Sequence, residues 1–237
     1  MSYIGHPIEA HTSGFTQAHD LVQRILNALS APRAPAPQPA SAPDCIAFQA
    51  AMQAHNLPCP RVAALFNSAC AMAGVRALHS AAEARRYLRD GAVYPLLFVP
   101  VSEDGGAETF SAIAYEKNAD AAVLGNGAPI ALSDVVRLLE LPCARGYLLQ
   151  ELPSPHRLGG LRVTVAMSAH GPHIVHAAWK LAGADDDIAL PLWKASSRLV
   201  LAGAALFPFI ERQHWDIALS ARGPLAMGMR AQPAQAL

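Results

Sequence analysis

The chain has 237 residues, of which 52% are hydrophobic and 15% charged, with 18 basic groups against 18 acidic ones. That length holds one large domain or two small ones with a real core, and the apolar share excludes a disordered chain. Zero formal charge leaves no basic surplus to neutralise phosphates, which argues against nucleic-acid binding driven by counterion release.

Residues 13–30 read as an amphipathic helix, with Phe15, Val22, Ile25, Leu26 and Leu29 on one face and Ser13 as a candidate cap. Residues 31–43 carry five prolines in thirteen positions. Proline fixes φ and lacks an N–H, so this segment is expected to be an extended tether joining the helix in 1–30 to the body. A helix is predicted from Asp44 or Cys45 through Phe48, Met52 and His55, and a second from Pro60 through Val62, Leu65, Phe66 and Ala69 to a stop at Gly74. A short strand follows at Val75 to His79. The capping-box pattern Ser80-Ala-Ala-Glu83 then opens a helix ending at Asp90-Gly91.

Strands are expected at Tyr94 to Val101, Thr109 to Tyr115 and Ala121 to Leu124, with turns at Ser102 to Gly106, Glu116 to Asp120 and Gly125-Asn-Gly127. Ser133 caps a predicted short helix to Glu140, and Gly146 to Glu151 reads as a strand. Leu161 to Met167 and His173 to Trp179 pattern as a hairpin. Asp185-Asp-Asp187 leads into a helical stretch reaching Ile210, His214 to Leu219 is a final strand, and residues 223–237 are expected to fray. The domain reading is a body over 44–152 and a hairpin plus helix over 153–222, packing with it or apart. The longest apolar stretch, Leu199 to Ile210, is too short to span a bilayer, so membrane insertion is not expected. The N-terminus has no basic region followed by an apolar run, and the four cysteines show no C-x-x-C pair; a cytoplasmic protein with free thiols is expected.

Cys45 at a helix N-terminus sits where the macrodipole favours thiolate over thiol. The same residue also reads as a small apolar group at a domain edge. His170, His173 and His176 form H-x-x-H-x-x-H. On a helix that spacing grips a metal ion, but Gly171-Pro172 breaks a helix there, and on a strand His173 and His176 point to opposite faces. Asp185-Asp-Asp187 lacks the alternation and distal glutamate of a calcium loop and reads as a solvated turn. Trp179, Trp193 and Trp215 read as core or interface anchors. No phosphate loop, G-x-G-x-x-G, G-x-S-x-G or H-E-x-x-H occurs, so no cofactor is expected.

Residues 44–152 resemble the papain-like domain of double-glycine leader peptidases. Asp44-Cys45 opens a helix closing at His55-Asn56; the Gly74-Val75 strand entry, an apolar strand near Leu96, two further strands, Ser133 to Leu139 and Arg145 to Leu149 follow in similar order. Thr109 stands before Phe110 where that family has its catalytic histidine, Ile46 replaces its glycine, and only Asn126 is placed as an orienting group. The resemblance therefore implies an α+β fold, a papain-like helix followed by an antiparallel sheet, with a smaller C-terminal α/β segment. It implies a degenerate site resembling the cargo-holding domains of type I secretion transporters. The expected function is a non-catalytic accessory that holds a peptide or protein partner beside Asp44, Thr109 and Phe110. Two alternatives stay open: a thiol-dependent hydrolase or acyltransferase using Cys45 with Asn126 and a histidine such as His156 or His170, and a metal-binding protein using His170, His173 and His176.

Overall fold

The computed structural model describes residues 43–69, 71–101, 108–141, 145–152, 160–180, 190–220 and 222–231. The predicted helix over 13–30, nearly all of the linker, His156 and the Asp185-Asp-Asp187 run lie outside the described residues. In chain order the elements are α1 (Cys45–Ala54), β1 (Arg61–Phe66), β2 (Arg76–Leu78), α2 (Ala81–Asp90), β3 (Leu96–Pro100), β4 (Phe110–Glu116), β5 (Ala121–Leu124), β6 (Pro129–Ala131), α3 (Leu132–Leu139) and β7 (Tyr147–Glu151). There follow β8 (Gly160–Ser168), β9 (Gly171–Lys180), α4 (Leu190–Ala204), β10 (Arg212–Ser220) and β11 (Gly223–Ala231). Strand takes 43% of the described residues and helix 26%, so two sheets set the architecture.

Local chemistry accounts for the first helices. Asp44 accepts the backbone N–H of Ala47 at 2.7 Å and starts α1. Ser80 does the same for Glu83 at 3.2 Å, while the Glu83 carboxylate takes the His79 N–H at 2.7 Å, one residue earlier than in the reciprocal box. The segment after Pro60 is a strand, not the expected second helix. Its Val62, Leu65 and Phe66 suit a helical spacing or a strand, and pairing with other segments decides for the strand. β1 pairs in parallel with β2 and antiparallel with β7.

The first sheet has the order β2-β1-β7-β3-β4-β5-β6. Because β1 and β2 are parallel and the other pairs antiparallel, the sheet is mixed. One face packs Phe66, Phe98, Tyr147 and Leu149 beneath α2 and α3. The other packs Val62, Leu65, Val101 and Leu148 around Ile46 of α1.

The second sheet is wholly antiparallel, in the order β11-β10-β8-β9. Its inner face joins Leu161, Val163, Val165, Trp215 and Ile217 to α4 and also to Phe48 and Met52 of α1. Trp215 is fully buried, and its Nε1–H donates to Gln213 Oε1 at 2.9 Å. Gln213 Nε2 reaches the carbonyls of Ala204, Phe207 and Ile210 at 2.9–3.3 Å, satisfying the end of α4 and the turn after it. Residues 223–231, expected to fray, form β11, because pairing along most of β10 holds them.

The expected order of a papain-like helix followed by an antiparallel sheet, with a smaller α/β segment after it, is therefore corrected. A mixed seven-stranded sheet and a separate four-stranded antiparallel sheet share α1 between their cores. Among the described residues no helix is long and apolar enough to cross a membrane.

Candidate functional site: the outer face of the four-stranded sheet

The residues singled out in the sequence fall into two groups. Cys45 begins α1, and its thiol donates to the Pro100 carbonyl at 3.6 Å, a bond that uses the thiol proton. Thr109, Phe110 and Asn126 lie at the same end of the seven-stranded sheet as Pro100, since Gly125 N–H pairs with Ser111 O and Phe98 pairs with Phe110. Phe110 serves the core, stacked on Phe98 at 4.5 Å. Asn126 closes its own turn by accepting the Ala128 N–H at 3.0 Å. Neither Thr109 nor Asn126 carries a group that takes a proton near neutral pH. Asp44 is spent on the α1 cap.

His170, His173 and His176 belong to the other sheet. His170 sits exposed at the tip of the β8–β9 hairpin. His173 and His176, expected on opposite faces of a strand, share one because β9 carries a bulge. Ala166 pairs with His173 and Val165 with Ile174, but Thr164 pairs with His176, so Val175 is the extra residue. The added position restores parity and puts both histidines on one face.

That face is the outer one, away from α4, and its polar residues fall in rows. Arg230, His214, Thr164 and His176 stand side by side across all four strands. Beside them Gly228, Asp216, Arg162 and Ala178 form a second row, and Arg212, Ala166 and His173 begin a third. Cross-strand neighbours of this kind have Cβ atoms ~5 Å apart. Arg162 grips Asp216 through Nε at 2.9 Å and Nη2 at 3.1 Å. The hydrogen bond to Asp216 pushes the Arg162 guanidinium above its ordinary value, so it is a permanent cation. Those two bonds leave the Nη1 donors of a five-donor group to point elsewhere. Thr164 Oγ1 and His214 Nδ1 share a hydrogen bond of 2.9 Å.

Ala166, Ala178 and Gly228 flank the polar centre, and a methyl group built on Gly228 would meet nothing within 4 Å. The centre is thus cationic with small residues beside it: three guanidinium groups face one carboxylate in a chain of zero formal charge. Such a surface can hold an oxyanion by charge-assisted, bidentate donation.

A second depression, of about 430 Å³, is lined by Gln53, Asn56, Cys59 and Arg61 among others. It offers less chemistry. Burial pushes the Cys59 thiol up, toward the unreactive form, and Arg61 is paired to Glu151 at 3.1 Å.

Sequence reasoning identified β8 and β10 but not this row. The signal was present as period-two alternation: Arg162 and Thr164 interleave with Leu161, Val163 and Val165, and His214 and Asp216 with Gln213, Trp215 and Ile217. Their convergence needs the register, which the sequence alone does not supply.

No protein-family model and no curated protein matches the chain. Solved structures do. The carboxyaminoimidazole ribonucleotide synthase from Aspergillus clavatus, complexed with ATP, is 9% identical, with a TM-score of 0.54 over 79% of this chain and 44% of that one. The L-amino acid ligase from Bacillus licheniformis is 12% identical, with a TM-score of 0.53 over 80% of this chain and 40% of that one. The biotin carboxylase domain of the Hydrogenobacter thermophilus 2-oxoglutarate carboxylase, in complex with MgADP, is 12% identical, with a TM-score of 0.52 over 81% of this chain and 40% of that one. The chain thus spans about two fifths of the length of these neighbours.

The fold they share with this chain is the ATP-grasp fold. That finding overturns the resemblance to double-glycine leader peptidases, which rested on the order of short elements. It read β1 as a helix, left out β6, and had no place for the four-stranded sheet. With it go the degenerate-peptidase and secretion-accessory readings and the non-catalytic adaptor. The thiol-hydrolase and metal-protein alternatives go too. For the last of these the geometry concurs: among the described residues no three His, Cys, Asp or Glu side chains converge as a metal site.

Proposed function

We propose that the chain is the nucleotide-holding part of an ATP-dependent ligase- or carboxylase-type enzyme, and that the outer face of the four-stranded sheet meets the phosphates. The observation that carries the reading is the likeness in fold to ligases and carboxylases, two of them complexed with ATP or MgADP. The cationic rows supply the chemistry such a role requires. Arg230 and the Nη1 side of Arg162 donate to phosphate oxygens; the Thr164 hydroxyl and His214, already bonded to each other, fix a donor between them. An ATP supply makes the cytoplasm the proposed setting.

Magnesium is the ion this fold implies. The described residues do not fit it on this face: its one carboxylate, Asp216, is held in a two-point bond by Arg162, and no three acidic, imidazole or thiol groups gather. No step is assigned to the ion. Phosphate charge is met here by guanidinium groups.

Calorimetric titration of ATP and of ADP into the full chain tests the reading. Each of Arg162→Ala and Arg230→Ala should weaken binding by roughly tenfold or more, the worth of one charge-assisted hydrogen bond. Absence of nucleotide binding at millimolar concentration, or binding indifferent to both substitutions, would remove it.

A further inference from the structure

Six histidines lie among the described residues, and three of them, His173, His176 and His214, face outward from this one sheet. His173 is there only because Val175 bulges, and Val175 is itself 49% exposed, so packing of that side chain does not explain the extra residue. From this juxtaposition we infer that the outer face is a proton-linked oxyanion site: it binds a dianionic group, a phosphate or its sulfate analogue, together with protons on these imidazoles. The inference rests on the reading that this face meets phosphate, and adds its regulation.

The charged and titratable groups around the imidazoles come from every strand. β8 supplies Arg162; β10 supplies Arg212, His214 and Asp216; β11 supplies Arg230; β9 supplies His173 and His176. Glu211, just before β10, has the parity of inward-facing Gln213, and His170 sits beyond His173 at the hairpin tip. Three guanidinium groups against one carboxylate leave an excess of positive charge on this face. A dianion seated among them reverses that balance, and each imidazole then gains from taking a proton. Linkage requires the converse: anion affinity rises as pH falls through the histidine range and declines above it. Asp216 is tied to Arg162 and, as the one carboxylate of the rows, does not offset three imidazoles.

The measurement is NMR titration of the histidine Cε1–H resonances of the full chain, in sodium sulfate and in sodium chloride at matched ionic strength. Single His→Gln substitutions assign the signals. His55 and His79, exposed and elsewhere in the fold, are internal controls. Sulfate should raise the midpoints of His176 and His214 by about half a unit or more, with His173 following, and leave His55 and His79 unmoved. Sulfate should also bind about threefold or more tighter near pH 6 than near pH 8, and His214→Gln should remove much of that difference. Equal midpoints in the two salts, a uniform shift of all histidines, or pH-independent sulfate affinity overturns the inference. ADP provides the separating arm. If sulfate binds with proton uptake and ADP does not bind, the site stands as an oxyanion site and the nucleotide reading falls. If ADP binds and neither sulfate nor the histidine substitutions affect it, the nucleotide sits elsewhere and the claim that this face meets its phosphates is refuted, while the sulfate titration alone decides the proton-linked site.

Discussion

Gly203 offers the sharpest test of how the second sheet meets its helix. A methyl group on Gly203 would lie 2.5 Å from Trp215 Cη2 and 2.8 Å from Cζ3, distances at which something must shift. The ring is poorly placed to yield. It is fully buried, its Nε1–H is fixed to Gln213, and Gln213 in turn holds the Ala204 carbonyl at the end of α4 and those of Phe207 and Ile210 in the turn after it. Overpacking of this kind costs about 1–3 kcal/mol, against a helix-propensity gain of about 1 kcal/mol for replacing an interior glycine by alanine. With the ring anchored, the overpacking term should dominate, leaving Gly203→Ala less stable by about 1–2 kcal/mol, or roughly 2–8 °C in Tm for a chain of this size. Urea unfolding followed by circular dichroism should show the midpoint fall with the slope unchanged. Gly228→Ala, with open space above it, is the control and should stay within about 0.5 kcal/mol. In a Trp215→Phe background the penalty should shrink by about 1 kcal/mol, because the atoms met by the methyl are gone. A Gly203→Ala chain as stable as the parent, or more stable, would refute the claim of close ring-on-helix contact.

Gln49 is fully buried, and neither atom of its amide has a hydrogen-bond partner among the described residues. Gln49→Leu should therefore stabilise the chain by about 1–2 kcal/mol in the same urea assay, since desolvating the amide costs of that order. Asp216→Asn removes the lone carboxylate of the cationic rows and loosens Arg162; sulfate affinity by calorimetry should rise about threefold, while stability moves by no more than about 1 kcal/mol because the pair is partly exposed. Burial pushes the Cys59 thiol up, so the unfolded chain ionises at lower pH than the folded one. The contribution of Cys59 to stability is intact at neutral pH and is lost as pH climbs through and above the ordinary thiol range; iodoacetamide should accordingly alkylate it slowly near neutrality and faster in alkali.

What the sequence revealed depended on how local the cause was. The caps at Asp44 and Ser80 are side-chain-to-backbone bonds within three residues, and both helices begin where those residues stand. β1 stands where a helix is expected because Val62, Leu65 and Phe66 satisfy a helical spacing as readily as a strand's. Only partners far along the chain, Arg76 to Leu78 and Tyr147 to Glu151, decide the matter. Residues 223–231 looked like loose tail for their glycines and proline, yet pairing with β10 orders them. The candidate site was least legible, since it is built from single outward residues of four strands and from a one-residue bulge that reverses the parity of His173. The ATP-grasp fold itself follows from the arrangement of two sheets, which no motif in the chain announces.

α1 contributes Ile46 to the first sheet and, within the same three turns, Phe48 and Met52 to the second; the Phe48 ring lies 5.5 Å from that of Trp215. Recombination between related genes is constrained by this sharing. A cassette exchanged downstream of residue 160 would inherit someone else's Phe48 and Met52, so the two halves of the molecule are expected to diverge together, with α1 as the stretch where their substitutions must agree.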